Sequence, residues 1–192
     1  MMDKIEIFRN ELDMIQNELM RDFIGYCVDH LPDYFFEIPA SSSGKFHPPY
    51  ALGHGGLMRH TKAAVKIAYD LVRLEQNQHL DSDLIIAALI LHDGIKRGPE
   101  EQDYTITKHP IYAAEFVGQM AYEYRVVRNL EVGCFGDKIE TLQRLIRSHM
   151  GQWNIDYRLG KAVLPKPQEE DEKFVHMCDY IVSRSYLICE VE

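Results

Sequence analysis

One stretch limits this chain more than any other: Leu84-Ile85-Ile86-Ala87-Ala88-Leu89-Ile90-Leu91, followed directly by His92-Asp93-Gly94-Ile95-Lys96. Its first eight residues have no polar side, so they predict a helix buried on nearly all faces. That helix delivers an imidazole and a carboxylate side by side into the interior. A buried carboxylate is not tolerated without a cation. Two cations are available to Asp93. Lys96 could pair with it while His92 caps a carbonyl, or both side chains could hold a metal.

The chain has 192 residues, enough for one domain, or one domain with an extension, that buries its core without staples. We expect residues 1–35 to form an N-terminal helical extension and residues 36–192 the main domain. Lys and Arg number 21 against 30 Asp and Glu, a net charge of −9. That balance argues against gripping long nucleic acid through its phosphates, though it permits a local basic pocket. The four cysteines, Cys27, Cys134, Cys178 and Cys189, form no C-x-x-C pair, so neither a thiolate zinc site nor a redox motif is indicated, and reduced core thiols are expected. No apolar run reaches membrane-spanning length, and the N-terminus shows no signal pattern. These features predict a cytoplasmic protein without a membrane partner; they leave its oligomeric state open.

The helical pattern begins early. Ile5, Phe8, Leu12, Ile15 and Leu19 make one apolar stripe within residues 3–30, which Gly25 could divide. Residues 37–56 read as a long loop punctuated by Pro and Gly, including Ser43, Lys45 and Phe46, with His47 and His54 as substrate contacts or simply polar loop residues. A helix opens at Leu57-Met58-Arg59-His60-Thr61 and places His60 in its first turn. Asp81 or Ser82 caps the buried helix. His109-Pro110 starts another, with proline where its missing N–H costs nothing. Asp137 and Glu140 have capping-box spacing ahead of a helix that leads to Ser148-His149-Met150-Gly151. An acid-rich segment from Glu169 to about Cys189 predicts the last helix. No run alternates polar and apolar residues as a strand would. The expectation is an all-α bundle of about six or seven helices.

His60, His92, Asp93, His109, His149 and Asp179 stand at helix ends or inside apolar helices, on five separate helices. Burying polar groups from five helices is costly unless they meet something that satisfies them. Imidazole and carboxylate donors suit Mn, Fe, Ni, Co or Zn better than Ca.

Gly55-Gly56-Leu57-Met58-Arg59-His60-Thr61, Leu91-His92-Asp93-Gly94-Ile95-Lys96, His109, Ser148-His149-Met150-Gly151 and His176-Met177-Cys178-Asp179-Tyr180 together resemble the HD superfamily of metal-dependent phosphohydrolases. The order His, His-Asp, His, His, Asp resembles its two-metal members. Ile38-Pro39-Ala40 through His47, the Gly-Gly-Leu start, Ser-His-x-Gly and Pro165-Lys166-Pro167 resemble, more narrowly, the HD domain of YhaM-type 3′→5′ exoribonucleases. The resemblance covers about residues 36–185 and implies an HD-like helical bundle. It implies that His60, His92, Asp93 and Asp179 hold one metal. Asp93 would bridge to a second held by His109 and His149. Two cations lower the pKa of a shared water and supply hydroxide to a phosphoryl centre. Asp93 and Lys96 would carry the chemistry, with Lys96 on a substrate phosphate as a compact point charge. The chain departs from the family pattern in three places. It reads Gly94-Ile95 where the family has Ile-Gly, Arg59 stands where the exoribonucleases commonly have an acid, and no RNA-binding β-barrel precedes residue 36.

The resemblance therefore implies a phosphohydrolase with one or two divalent transition metals, acting on a phosphomonoester or phosphodiester of a nucleotide or short oligonucleotide by metal-hydroxide attack. A 3′→5′ exonuclease on single-stranded RNA or DNA, or a nucleotide-sensing module without turnover, are its rivals. Lys96, His47, His54, Arg147 and Trp153 are the candidate substrate-binding residues, with Gln152 and Arg184 beside them. Trp153 could stack a base or simply pack. His176, three residues before Asp179, reads as packing or as support for a ligand, and His30 and His79 read as solvent-facing.

Overall fold

The computed structural model describes residues 3–42, 44 and 47–187. Ser43, Lys45, Phe46 and Cys189 lie outside the described residues, and the last helix, expected to run to about Cys189, ends at Val182 instead. The α-helices are α1 (Lys4–Ile7), α2 (Arg9–Leu12), α3 (Glu18–Asp29), α4 (Tyr34–Glu37), α5 (Gly56–Val72), α6 (Ser82–Leu91), α7 (His109–Val127), α8 (Lys138–Ser148) and α9 (Glu170–Val182). Three short 3₁₀ turns, at Pro49–Ala51, Glu75–Asn77 and Gly151–Trp153, complete the helical part. The fold is all-α. Nine described helices exceed the expected six or seven because α1, α2 and α4 are four-residue pieces, shorter than any periodicity can reveal.

The apolar stretch is the axle of the bundle. Every residue of α6 from Asp83 to Leu91 is buried, and α3, α5, α8 and α9 all touch it. Burying Ile85, Ile86, Leu89 and Ile90 contributes roughly 2 kcal/mol each relative to exposure, which is why the helix needs no polar face. Asp81, rather than Ser82, caps it by accepting from the Leu84 N–H at 3.1 Å.

The N-terminal region is not one helix interrupted at Gly25. Gly25 sits inside α3, and the break falls earlier, between α2 and α3. Its cause is tertiary. The Asp83 carboxylate accepts from the backbone N–H groups of Gln16 and Asn17, both at 2.8 Å, and so holds the chain out of a helix there. Asn17 then caps α3 by accepting from Met20 N–H.

Two expectations of local structure fail for local reasons. Asp137 makes no side-chain cap to α8, because its own backbone is already helical. The capping box is instead at α9, between Glu169 and Glu172. The expectation of no strand is corrected by β1 (Ile155–Asp156) and β2 (Lys161–Ala162), an antiparallel pair with Ile155 opposite Ala162. Asp156 Oδ1 nucleates its turn by accepting from the N–H groups of Arg158 and Leu159. A two-residue ladder leaves no alternation to read in the sequence. Among the described residues no helix is long and apolar enough to cross a membrane.

Candidate metal centre

Five helices aim the six candidate ligands at one point. His92 and Asp93 leave the end of α6, His109 is the first residue of α7, His149 follows α8, and Asp179 lies on α9. His60 comes from α5, one turn later than expected. The start of α5 is fixed by backbone contacts, since Gly55 N–H donates to Glu37 O and Leu57 N–H to Ile38 O. A Cβ on Gly56 would stand 2.3 Å from Ala51 O and 3.1 Å from Pro39 Cα, so only glycine admits this crossing.

His60 Nε2 lies 2.9 Å from Asp179 Oδ1. His92 Nε2 lies 3.4 Å from Asp93 Oδ2 and 3.6 Å from Asp179 Oδ1. On the other side of the same carboxylate, Asp93 Oδ1 lies 2.9 Å from His109 Nε2 and 3.7 Å from His149 Nε2. Asp93 thus faces two ligand sets with two different oxygens. Three overlapping groups, His60–His92–Asp93, His92–His149–Asp179 and Asp93–His109–His149, each bring their ligand atoms within 4.8 Å of one another.

The imidazoles are oriented by main-chain carbonyls. His92 Nδ1 bonds Leu89 O at 2.7 Å, His109 Nδ1 bonds Ile106 O at 2.8 Å and His149 Nδ1 bonds Ile146 O at 2.7 Å. A carbonyl accepts only, so each Nδ1 carries a proton and each ring turns its Nε2 inward, bare whenever the ring is neutral. His109 and His149 then face each other, Nε2 to Nε2, at 3.4 Å. Acceptors converge on acceptors: His92 Nε2 and Asp93 Oδ1 are buried with no hydrogen-bond partner among the described residues. The residues present fit divalent cations, because a cation satisfies lone pairs that no protein donor here reaches.

The charges lead to the same conclusion. Burial would push the Asp93 carboxyl up, but the Lys96 ammonium and His92 hold it well below the ordinary carboxylate range. Burial works likewise on Asp179 and is outweighed by the bond from His60 and by the nearby His92 ring. For His92, burial favours the neutral ring, yet Asp93 and Asp179 together raise it to about 10. Two buried carboxylates therefore favour a positive charge at His92 Nε2, and a cation bound there would take the place of that proton. His149 is pushed down to about 3, mainly by burial and by its neighbour His92, and stays neutral as a ligand must.

Of the two uses of Asp93 foreseen in the sequence, the ion pair is the one these contacts show. Lys96 Nζ donates to its Oδ2, and His92 does bond a carbonyl. Gly94 explains the exchanged Gly94-Ile95 order, because a Cβ there would stand 2.6 Å from the buried Leu31 Cδ2. His47 reaches the rim, its ring 5.4 Å from that of His60, and burial pushes it down to about 4. The side chain of His54 is exposed, and its carbonyl is one of three that Arg59 binds, with those of Tyr50 and Leu52. Arg59 fastens the loop ahead of α5. Arg147 is half-buried in the last turn of α8.

Trp153 stacks on Tyr180 at 5.4 Å and 14°, with the Arg184 guanidinium over both rings. His176 stands behind the candidate ligands. Its Nδ1 bonds His149 O at 2.7 Å and its Nε2 contacts Gln152 Oε1 at 3.0 Å. A Cβ on Gly151 would meet its ring at 2.3 Å. His79 pairs with Glu170 at the surface, and His30 bonds Tyr26 O.

The carbonyl on His92 was foreseen; those on His109 and His149 were missed. The position could have shown them, because both rings stand at a helix end, three residues after a carbonyl that no helical N–H need occupy. His60 also follows Leu57 by three, yet it stands inside a continuing helix, where carbonyls are already bonded.

A family model described as HD domain matches residues 57–183. No curated protein and no solved structure matches the chain.

Proposed function

The chain belongs to the HD-domain family, and on that premise we propose that it is a metal-dependent phosphohydrolase acting on a phosphomonoester or phosphodiester of a nucleotide or short oligonucleotide. The observation that carries this reading is the convergence of inward-facing Nε2 atoms on two carboxylates, with His92 Nε2 and Asp93 Oδ1 left without partners. His60, His92, Asp93 and Asp179 would hold one divalent transition metal, and Asp93, His109 and His149 a second. Cations held there would supply an ionised water and would neutralise charge on a phosphoryl oxygen. The chain supplies the rest. Main-chain carbonyls fix the rings, burial keeps His149 neutral, and the cluster opens at Asp179, whose side chain is 15% exposed. Lys96 lies within the cluster and offers an ammonium to a phosphate once cations take over Asp93.

Elemental analysis of purified protein, coupled to a screen of nucleotides, cyclic dinucleotides and oligonucleotides across Mn, Fe, Co, Ni and Zn, tests this. The expected result is bound metal and metal-dependent phosphate-ester cleavage, both lost in Asp93→Ala. Full activity in metal-free protein would overturn it. The narrower likeness to YhaM-type exoribonucleases is decided by the same screen, since stepwise shortening of an oligonucleotide from its 3′ end would assign exonuclease action. Nucleotide binding without product under any metal would assign a sensing module.

A further inference from the structure

One histidine beside the centre belongs to no ligand group. The His47 ring stands edge-on to that of His60, 5.4 Å away at 62°, yet His47 joins none of the three groups whose ligand atoms come together. Its Nδ1 is buried with no hydrogen-bond partner among the described residues, as are His92 Nε2 and Asp93 Oδ1. After burial, the influences on the ring come from His60, Lys96, Asp179 and Asp93, all residues of the centre.

The fold holds this ring in place. Pro48 and Pro49 follow it directly, and a following proline confines His47 itself to extended backbone. Ala51 N–H closes the next turn by donating to Pro48 O at 3.0 Å. Tyr50 is then fastened twice. Its hydroxyl donates to Val182 O at 3.0 Å, at the end of the helix that carries Asp179, and its carbonyl accepts from Arg59 Nε at 2.6 Å, next to His60. The segment after His47 is thus tied to both helices that supply His60 and Asp179.

We propose that His47 contacts the substrate, donating an imidazole N–H to an oxygen of the phosphoryl group held at the centre. This rests on the phosphohydrolase reading above. An imidazole carries at least one N–H in either protonation state, so donation needs no change of charge. Lys96 Nζ and His60 Nε2 both approach Asp93 Oδ2, the latter at 3.9 Å. His47, packed on His60, therefore borders the same half of the centre as Lys96. A phosphoryl group bound there has several oxygens to satisfy and little water to do it, and each is costly to leave without a donor. A ring beside the ligand set but outside it is placed to meet what the cations would hold rather than the cations themselves.

The test loads the full chain with Mn and follows the binding of inorganic phosphate by calorimetry, with metal affinity measured separately against a chelating dye. His47→Phe keeps a ring on His60 but has no donor. It should weaken phosphate binding about tenfold, the loss of one hydrogen bond to a charged group, and leave metal affinity and far-UV circular dichroism unchanged. His47→Asn, smaller but still a donor, should retain more phosphate affinity than His47→Phe; the reverse order overturns the proposal. Unchanged phosphate affinity in His47→Phe also overturns it and leaves the ring as packing. Metal lost together with phosphate overturns it as well, and would make His47 a ligand or the support of one. So would failure of phosphate to bind the Mn-loaded wild type. His47-dependent phosphate binding without any phosphoester turnover would instead sink the phosphohydrolase reading and leave this contact standing, whereas turnover indifferent to His47→Phe would do the reverse.

Discussion

Lys96 donates its ammonium to Asp93 Oδ2 from one turn further along the chain, while Asp93 Oδ1 faces away from it, towards His109. The lysine neutralises one half of a carboxylate whose other half has no donor. Without a divalent cation, this pair supports the buried charge. With cations bound, Asp93 no longer depends on it.

Lys96→Met should therefore be conditionally unstable. Breaking a buried pair by removing one partner costs about 3–5 kcal/mol, and both side chains are nearly inaccessible. Thermal melts in chelator should show that loss. Addition of Mn or Zn should recover most of it and shift the variant further than the wild type. Equal metal-induced shifts in both proteins would contradict the compensation argued here.

His176 acts on the centre through His149, whose carbonyl it binds. Loss of such an outer partner typically lowers metal affinity roughly 10–100-fold. His176→Ala should weaken metal binding towards the lower end of that range, read by competition with a chelating dye, while far-UV circular dichroism stays unchanged. A variant with wild-type metal affinity would reduce His176 to filler beside Gly151.

Gly56→Ala should be among the most damaging single-methyl changes in the chain. The added carbon meets the backbone of Ala51 and Pro39 rather than a movable side chain. Overpacking costs about 1–3 kcal/mol even where neighbours can shift, so a loss at or above that range is expected in urea denaturation. The displaced start of α5 also carries His60, and metal content should fall with stability.

The Arg144–Asp171 pair, joining α8 to α9 at 2.6 Å, supplies a pH-dependent contribution. Burial would raise the Asp171 carboxyl, but the Arg144 hydrogen bond holds it below its ordinary value. A carboxyl lowered in the folded state stabilises above its unfolded pKa, near 3.9, and that contribution fades as pH falls through the folded value. Arg144 is 37% exposed, so solvent screening limits the pair to about 0.5–1 kcal/mol. Asp171→Asn should be less stable than wild type by that amount at pH 7, with the gap closing below about pH 4. A constant gap across the acid limb would show that the loss has another origin.

Much of this protein is legible in one dimension because its main signals are local. A stretch with no polar face can only be central, and α6 is central. Imidazoles and acids at the ends of such helices must be satisfied, and the six proposed ligands do meet. The signs of capping were less dependable. Asp137 has the right neighbour for a box but the wrong backbone angles, and Gly25 sits unbroken inside α3 because nothing there offers the helix a reason to stop.

What the tertiary structure alone decides concerns contacts between distant residues. Asp83 breaks the N-terminal helix from 66 positions away. The turn of Asp93 that gives each ligand set its own oxygen, the closing of Gly56 on Ala51 and the ring of His176 over Gly151 all depend on where two chain segments cross. Periodicity records which face of a helix is apolar, since that follows from 3.6 residues per turn. It carries no record of which carbonyl an imidazole will find or which rings will line a cavity, because those are set by packing distances of a few ångströms between helices that the sequence lists far apart.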